Sequence, residues 1–176
     1  MPWFNKELDV DLAAELTKRK ISGGVFLDLG TGPGTQAIHL TRLGFSVTGT
    51  DLSESAIKKV KKISDAVNFV PDDILATRLA ANSFDYVFDR GCFHVLPPQA
   101  RPTYVQNVGK ILKNNGLLFL KCFSTKEPSD YGPYKFAGKD LEEIFGLFEI
   151  ESCHETAFQG TLPAFPKALF AVLRRK

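Results

Sequence analysis

Apolar residues along this chain recur in two patterns: short runs of strand length, and longer stretches with apolar positions three and four apart. Val25-Phe26-Leu27-Asp28-Leu29 is a strand-length run, and Ala37, Ile38, Leu40 and Leu43 then mark one side of a helix. Phe45 to Asp51 alternates like a second strand, and Ser53 caps a helix running to about Ser64. Val67–Val70 and Phe84–Phe88 read as strands, Ala100–Leu112 as a helix ended by Asn114-Asn115-Gly116, and Leu117–Phe123 as a buried strand. A helix over Gly138–Phe145 precedes two last strands, Phe148–Thr156 and Lys167–Arg174. Before all of these, Asp9 or Asp11 caps a helix containing Leu12, Ala13 and Leu16, stopped by Gly23-Gly24. Strands alternating with helices predict an α/β domain with a largely parallel sheet.

Between the first strand and its helix lie three glycines at every second position, Gly30, Gly32 and Gly34, with Asp28 two residues before the first. A strand turning into a helix through glycines brings backbone and a helix N-terminus close to a ligand. The spacing bears on which ligand. A dinucleotide fingerprint wants glycine where Thr35 stands, so a nucleotide-dependent oxidoreductase, with NAD as cofactor, is the poorer fit. Asp51, about 20 residues on, suits the two hydroxyls of a ribose. Asp72 and Asp73 follow the third strand, and Asp89 follows the fourth. Acids near the carboxyl ends of successive strands mark where open α/β sheets bind ligands.

The glycine pattern resembles motif I of the class I S-adenosylmethionine-dependent methyltransferases. Phe84 to Pro98, F-D-x-V-x-D-R-G-C-F-H-x-L-P-P, looks like the small-molecule branch related to thiopurine and tellurite methyltransferases. Pro2-Trp3 and the N-N-G-then-strand pattern are similar to that branch too. The resemblance implies a Rossmann-like three-layer α/β/α sandwich, with seven strands in a mixed sheet and the last strand antiparallel. It implies S-adenosyl-L-methionine as cofactor and S-adenosyl-L-homocysteine as product. Asp28, Gly30, Thr31, Gly32 and Gly34 would then hold the methionine end. Asp51 and Leu52 would lie at the ribose, and Asp73 and Ile74 at the adenine, with Asp89 contributing to the same site. Arg90, Phe93 and His94 would face the methyl group, His94 as a candidate general base. Cys92 reads as structural. Trp3 and Phe4 suggest a lid in the segment 1–24, and the loop Ser124–Phe136, with Tyr131 and Tyr134, suggests a substrate wall.

Composition narrows the rest. The 176 residues predict a single domain, and a net charge of +2 is too small for a nucleic-acid footprint. Lys58-Lys59-Val60-Lys61-Lys62 reads as a solvated helix face. Cys92, Cys122 and Cys153 are too few and too widely spaced for a disulfide scaffold or a zinc site, which suggests a reducing, cytoplasmic setting. No membrane-spanning run is present in the sequence. The expectation is an enzyme methylating a small acceptor through sulfur, oxygen or nitrogen. A cofactor-binding regulatory subunit without turnover is the other class that shares these binding residues.

Overall fold

The computed structural model describes residues 5–130, 132–161 and 163–176. Helix α1 spans Val10–Lys18 and starts at Asp9, whose carboxylate accepts the Asp11 N–H at 3.1 Å. It ends earlier than Gly23-Gly24, because Lys20 takes the left-handed conformation (φ 55°) that closes it. Strand β1 (Val25–Leu29) leads through the glycines into α2 (Thr35–Arg42). Strand β2 (Ser46–Asp51) is followed by α3 (Glu54–Val60), which the Ser53 side chain caps by accepting the Ala56 N–H. Then come β3 (Asn68–Pro71) and β4 (Phe84–Arg90), α4 (Arg101–Ile111), β5 (Leu112–Ser124) and a two-residue β6 (Lys135–Phe136). Helix α5 (Gly138–Ile144) and strands β7 (Phe148–Ala157) and β8 (Lys167–Arg175) complete the order.

Two expectations need correcting. Asp89 and Arg90 are the last residues of β4 and not part of the loop after it. Asn114-Asn115-Gly116 does not stop a helix. Residue Leu112 lies opposite Phe84 but Leu117 lies opposite Tyr86, so this segment bulges out of β5, with Asn115 at φ 62° supplying the bend.

The strand order is β3-β2-β1-β4-β5-β8-β7, with β6 pairing beside the end of β5. All neighbours are parallel except β8, which runs antiparallel to both β5 and β7. The seven-stranded mixed sheet is therefore as expected, with β6 as an addition. Leu12, Leu16, Leu40 and Val60 from α1, α2 and α3 pack on one face around Phe26, Phe69 and Phe119. Tyr104, Val108 and Leu141 from α4 and α5 pack on the other, around Val87, Leu118 and Leu120. Asp28 lies opposite Gly49, Leu29 opposite Asp89, and Asp51 opposite Pro71, so the carboxyl ends of β1 to β4 form one rim.

At that rim the sheet buries charge. Lys121 of β5 is fully buried, and its ammonium donates to Asp9 Oδ2 (2.8 Å), Asp11 Oδ2 (2.6 Å) and Gln159 Oε1 (2.9 Å). Arg90 Nε donates to the same Asp9 oxygen at 2.8 Å, and its Nη2 to the Gln159 carbonyl. Thr156 adds a hydroxyl to Asp11 Oδ2 at 2.8 Å. Burial works to raise the Asp11 pKa, but the Lys121 ammonium, together with hydrogen bonds from Thr156 and His154, outweighs it and holds the carboxyl below its usual value. The group pins the start of α1 to the ends of β4 and β5. Ahead of it, Gln36 of α2 accepts from Asp9 N–H and donates to the Glu7 carbonyl, so residues 5–9 run along α2. The lid expected at Trp3 and Phe4 lies outside the described residues.

Removing one member of such a group strands the others as buried, unpaired charge. Lys121→Met is expected to cost about 3 kcal/mol in chemical denaturation. Lys58→Met, at a solvent-exposed pair with Glu54, is expected to leave stability unchanged. Equal effects of the two substitutions would show that the buried group does not hold α1.

Candidate active site

Asp28 is buried (2% exposed), and one of its two carboxylate oxygens is turned to the glycine turn. Its Oδ2 accepts the Thr31 hydroxyl at 2.5 Å and the Ala37 N–H at 3.2 Å, bracing the glycine turn from beneath. Burial raises its pKa to about 6, against the lowering effect of those two donors. Thr31 is buried as well, and its N–H donates to the Thr50 carbonyl at 2.7 Å. The N–H of Gly32 goes to Asp51 Oδ2 (2.9 Å), and that of Gly34 to the Thr31 carbonyl (2.8 Å). Three loop N–H groups are thus used within the protein, so the loop does not offer them as the backbone cradle a diphosphate requires. Gly34 is fixed by sterics and conformation together. Its φ is 77°, and a Cβ there would lie 2.2 Å from Val60 Cγ2.

Asp51 sits at the mouth of the rim, half-buried, with Oδ1 accepting the Ser53 N–H at 2.8 Å and Oδ2 the Gly32 N–H. Two backbone donors leave further lone-pair positions on the carboxylate. Beside it Leu52 is 74% exposed, an apolar side chain with nothing covering it. The two adjacent acids after β3 separate cleanly. Asp72 is consumed by its own loop, accepting the Thr77 hydroxyl (2.6 Å) and the Arg78 N–H (3.0 Å). Among the described residues Asp73 accepts only the Leu75 N–H, through Oδ1 at 2.9 Å. Ile74 points into the core beneath α4 and does not line the rim.

Asp89 is completely buried and accepts four hydrogen bonds. Gly91 N–H (2.9 Å) and Cys92 N–H (2.7 Å) donate to Oδ1, while Phe93 N–H (2.9 Å) and the Tyr104 hydroxyl (2.6 Å) donate to Oδ2. Burial nonetheless lifts its pKa to about 6. The group shapes the turn after β4 and does not reach the cleft. Phe93, expected to face a methyl group, is fully buried against Tyr104, Phe136 and Phe145. Arg90 is held by Asp9 and Gln159, with its guanidinium 5.2 Å from the centre of the Phe158 ring.

Cys92 is the residue whose place sequence reading missed. Its Cβ lies 3.4 Å from where a Cβ on Gly30 would stand, on the floor between the glycine turn and the β4 turn. Burial pushes the thiol pKa well up, reinforced by the Asp89, Asp51 and Asp73 carboxylates. It is a neutral, small, polarisable surface and not a nucleophile. The signal was the alignment of two small residues, Gly30 and Cys92, at the ends of neighbouring strands. His94 closes the far side of this turn. It is 6% exposed, its Nδ1 accepts the Phe123 N–H at 3.2 Å, and its ring packs on Phe123 and Phe158. Burial, then the Arg90 charge, lowers its pKa to about 4, so it is neutral near pH 7. An open depression next to it is lined by Val95, Gly132, Pro133 and Tyr134. A second one, lined by Asn82, Lys110, Gly146 and Arg175, opens at the opposite ends of the strands and takes no part in this site.

A family profile described as a methyltransferase domain matches residues 26–116, from β1 to the bulge of β5. The chain belongs to the S-adenosylmethionine-dependent methyltransferases. An uncharacterised methyltransferase of Schizosaccharomyces pombe is 35% identical over 109 residues, covering 60% of this chain and 75% of that protein. A probable thiol methyltransferase of Arabidopsis thaliana is 30% identical, covering 81% and 66% respectively. Human EEF1A lysine methyltransferase 2 is 32% identical, covering 71% of this chain and 59% of that protein. A solved structure described as converting a disulfide bond into a thioacetal group in echinomycin biosynthesis superposes with a TM-score of 0.88 at 25% identity, over all of this chain and 86% of its own. The methyltransferase is thus an enzyme of the expected family, and its cofactor is S-adenosyl-L-methionine. No helix among the described residues is long and apolar enough to cross a membrane.

Two outcomes follow from these carboxylates. Asp51→Ala is expected to weaken S-adenosylhomocysteine binding by about 1.5–3 kcal/mol in calorimetry, the scale of a charged hydrogen-bonding group; unchanged affinity removes Asp51 from the site. Asp28 has a folded pKa of about 6 against 3.8 unfolded, so the folded state holds its proton more tightly. The stability this contributes is full below pH 3.8 and is lost as pH rises to 6, about 3 kcal/mol in all. Asp28→Asn lacks this loss, so its stability deficit relative to wild type should shrink between pH 4 and pH 7. A deficit independent of pH would mean that Asp28 titrates as it does in the unfolded chain.

Proposed function

We propose that this methyltransferase moves a methyl group from S-adenosyl-L-methionine to a small molecule carrying a sulfur, oxygen or nitrogen nucleophile. The observation that carries this reading is the wall beyond the β4 turn. There the rings of His94, Phe123 and Phe158 meet within 5.4 Å, beside an exposed Val95 and Tyr134. Such a wall suits an apolar or aromatic acceptor of few atoms.

The cofactor's residues fit the rim. The backbone of Gly30 and Gly32 would face the methionine end, Asp51 would accept from the ribose hydroxyls, and the unbonded Oδ2 of Asp73 would accept from the adenine amino group, with Leu52 covering the ring. Cys92 would lie beneath the adenosyl group. Asp28, Thr31, Gly34 and Asp89 serve from behind by fixing the two turns. The sulfonium supplies an activated methyl carbon that needs no further activation. What remains for the chain is to hold the acceptor in line and exclude water, which is how alignment accelerates a displacement. Arg90, bound to the start of α1 and to the loop after β7, would keep the acceptor wall in place.

The human relative that methylates a lysine of EEF1A gives a second reading, in which the acceptor is a protein side chain. One panel separates them. Small thiols, phenols and heteroaromatics, together with a lysine-rich folded protein, would be incubated with radiolabelled cofactor. Label in the small molecules, at rates at least ten times those for the protein, is the expected result. Label confined to protein lysines would overturn the small-acceptor reading.

A further inference from the structure

His94 was expected to be a candidate base, and its surroundings assign it another task. The Phe123 N–H can only donate, so the Nδ1 that faces it at 3.2 Å must present a lone pair. The proton of the neutral ring therefore sits on Nε2. The ring cannot readily turn over, because Phe123 stands edge-on to it at 4.9 Å and Phe158 lies against it at 5.4 Å. Its backbone is fastened too, with the His94 carbonyl accepting the Tyr134 N–H at 2.8 Å. Among the described residues Nε2 has no hydrogen-bond partner, and it is not sealed off from solvent. It points over Gly91, 3.1 Å from where a Cβ would stand, and glycine leaves that space open.

We propose that His94 is a fixed Nε2–H donor to an acceptor that arrives already ionised, a small thiolate or similarly soft anion, and is not a base that ionises it. The inference rests on the small-acceptor reading above and names the acceptor's chemistry. Among the described residues, the carboxylates beside the wall are already engaged. Asp89 has its four donors, Asp9 and Asp11 are engaged with Arg90 and Lys121, and the remaining faces are the rings of Phe123 and Phe158. One N–H and two aromatic faces suit a weakly hydrated, single-atom anion better than a carboxylate, which asks for several donors. The chemistry balances without a base. The acceptor's lone pair forms the new bond to the methyl carbon while the methyl–sulfonium bond breaks. Its electron pair passes to the departing sulfur, which leaves as a neutral thioether, and the anion becomes a neutral methylated product. No proton is released in the step.

Four measurements test this on the full chain. Long-range ¹H–¹⁵N correlation of the protein alone at pH 7 should show His94 protonated at Nε2. With a series of aryl thiols of graded acidity, kcat/KM should follow the thiolate fraction at each pH, and any added break near pH 6, where Asp28 and Asp89 titrate, should be the same in wild type and in His94→Gln. His94→Gln, which can place an N–H near the Nε2 position, should stay within about threefold of wild type, whereas His94→Phe should raise KM by about 10–100-fold, the worth of one hydrogen bond to a charged group. S-adenosylhomocysteine affinity, measured by calorimetry, should be the same for all three proteins. Protonation at Nδ1, equal collapse of both variants in kcat, or methylation of neutral phenols in preference to ionised thiols would each overturn the inference. If the cofactor product binds but no ionised thiol is methylated, the inference falls and the cofactor reading stands; if it does not bind, both fall.

Discussion

Much of this site depends on one completely buried carboxylate. Asp89 ends a buried strand and gathers three successive backbone N–H groups and a phenol. Without it, the Gly91–Phe93 N–H groups would be orphaned in a desolvated turn, each at a cost comparable to a lost hydrogen bond. With it, the chain leaves β4 in one conformation, sending the Phe93 ring down into the α4–α5 core, laying Cys92 against Gly30, and lifting His94 toward the end of β5. Asp28 does the same work one strand away, beneath the glycine turn. Two buried acids brace two adjacent turns, and the cleft is the space between those turns. Desolvation raises both acids to about 6, which is the electrostatic strain of this arrangement.

A second constraint closes the acceptor side. Lys121 interrupts an otherwise apolar strand, and its charge is tolerated because Asp9 and Asp11 come to it from α1 and Gln159 from the loop before β8. Four ionised groups share one pocket, two of each sign. The arrangement converts the sheet's carboxyl edge into an anchor for elements far apart in sequence, 112 residues in the case of Asp9 and Lys121. The same anchor holds Phe158 where it meets His94 and Arg90.

Most of the fold could be read from the sequence, because every strand but β6 carried an apolar run and the turn chemistry marked the breaks. The antiparallel last strand came from family resemblance, and the sheet has it, with β8 between β5 and β7. Where periodicity misled, a local cause is visible. Asn114-Asn115-Gly116 has the composition of a helix stop, and the same left-handed tolerance serves a bulge equally well. The placement of the rim residues was legible only in part. Asp51 and Asp73 stand open at strand ends as their spacing implied, while Asp28, Thr31, Asp89, Ile74 and Phe93 proved to be buried. A motif marks a position, and whether the side chain there turns outward or inward depends on partners such as Tyr104 and Thr31 that spacing does not reveal. Lys121 gave a signal, a lysine amid Leu117–Phe123, without naming its partners.

The central claim is that the cleft between the two braced turns receives the adenosyl cofactor. Titrating S-adenosylhomocysteine into ¹⁵N-labelled protein tests it most directly. Backbone amides of Gly30, Gly32, Leu52, Asp73, Gly91 and Cys92 should shift together and saturate at one equivalent, with the Lys110 and Arg175 end of the sheet unmoved. Saturable shifts confined to that opposite end, with the two turns silent, would contradict the account.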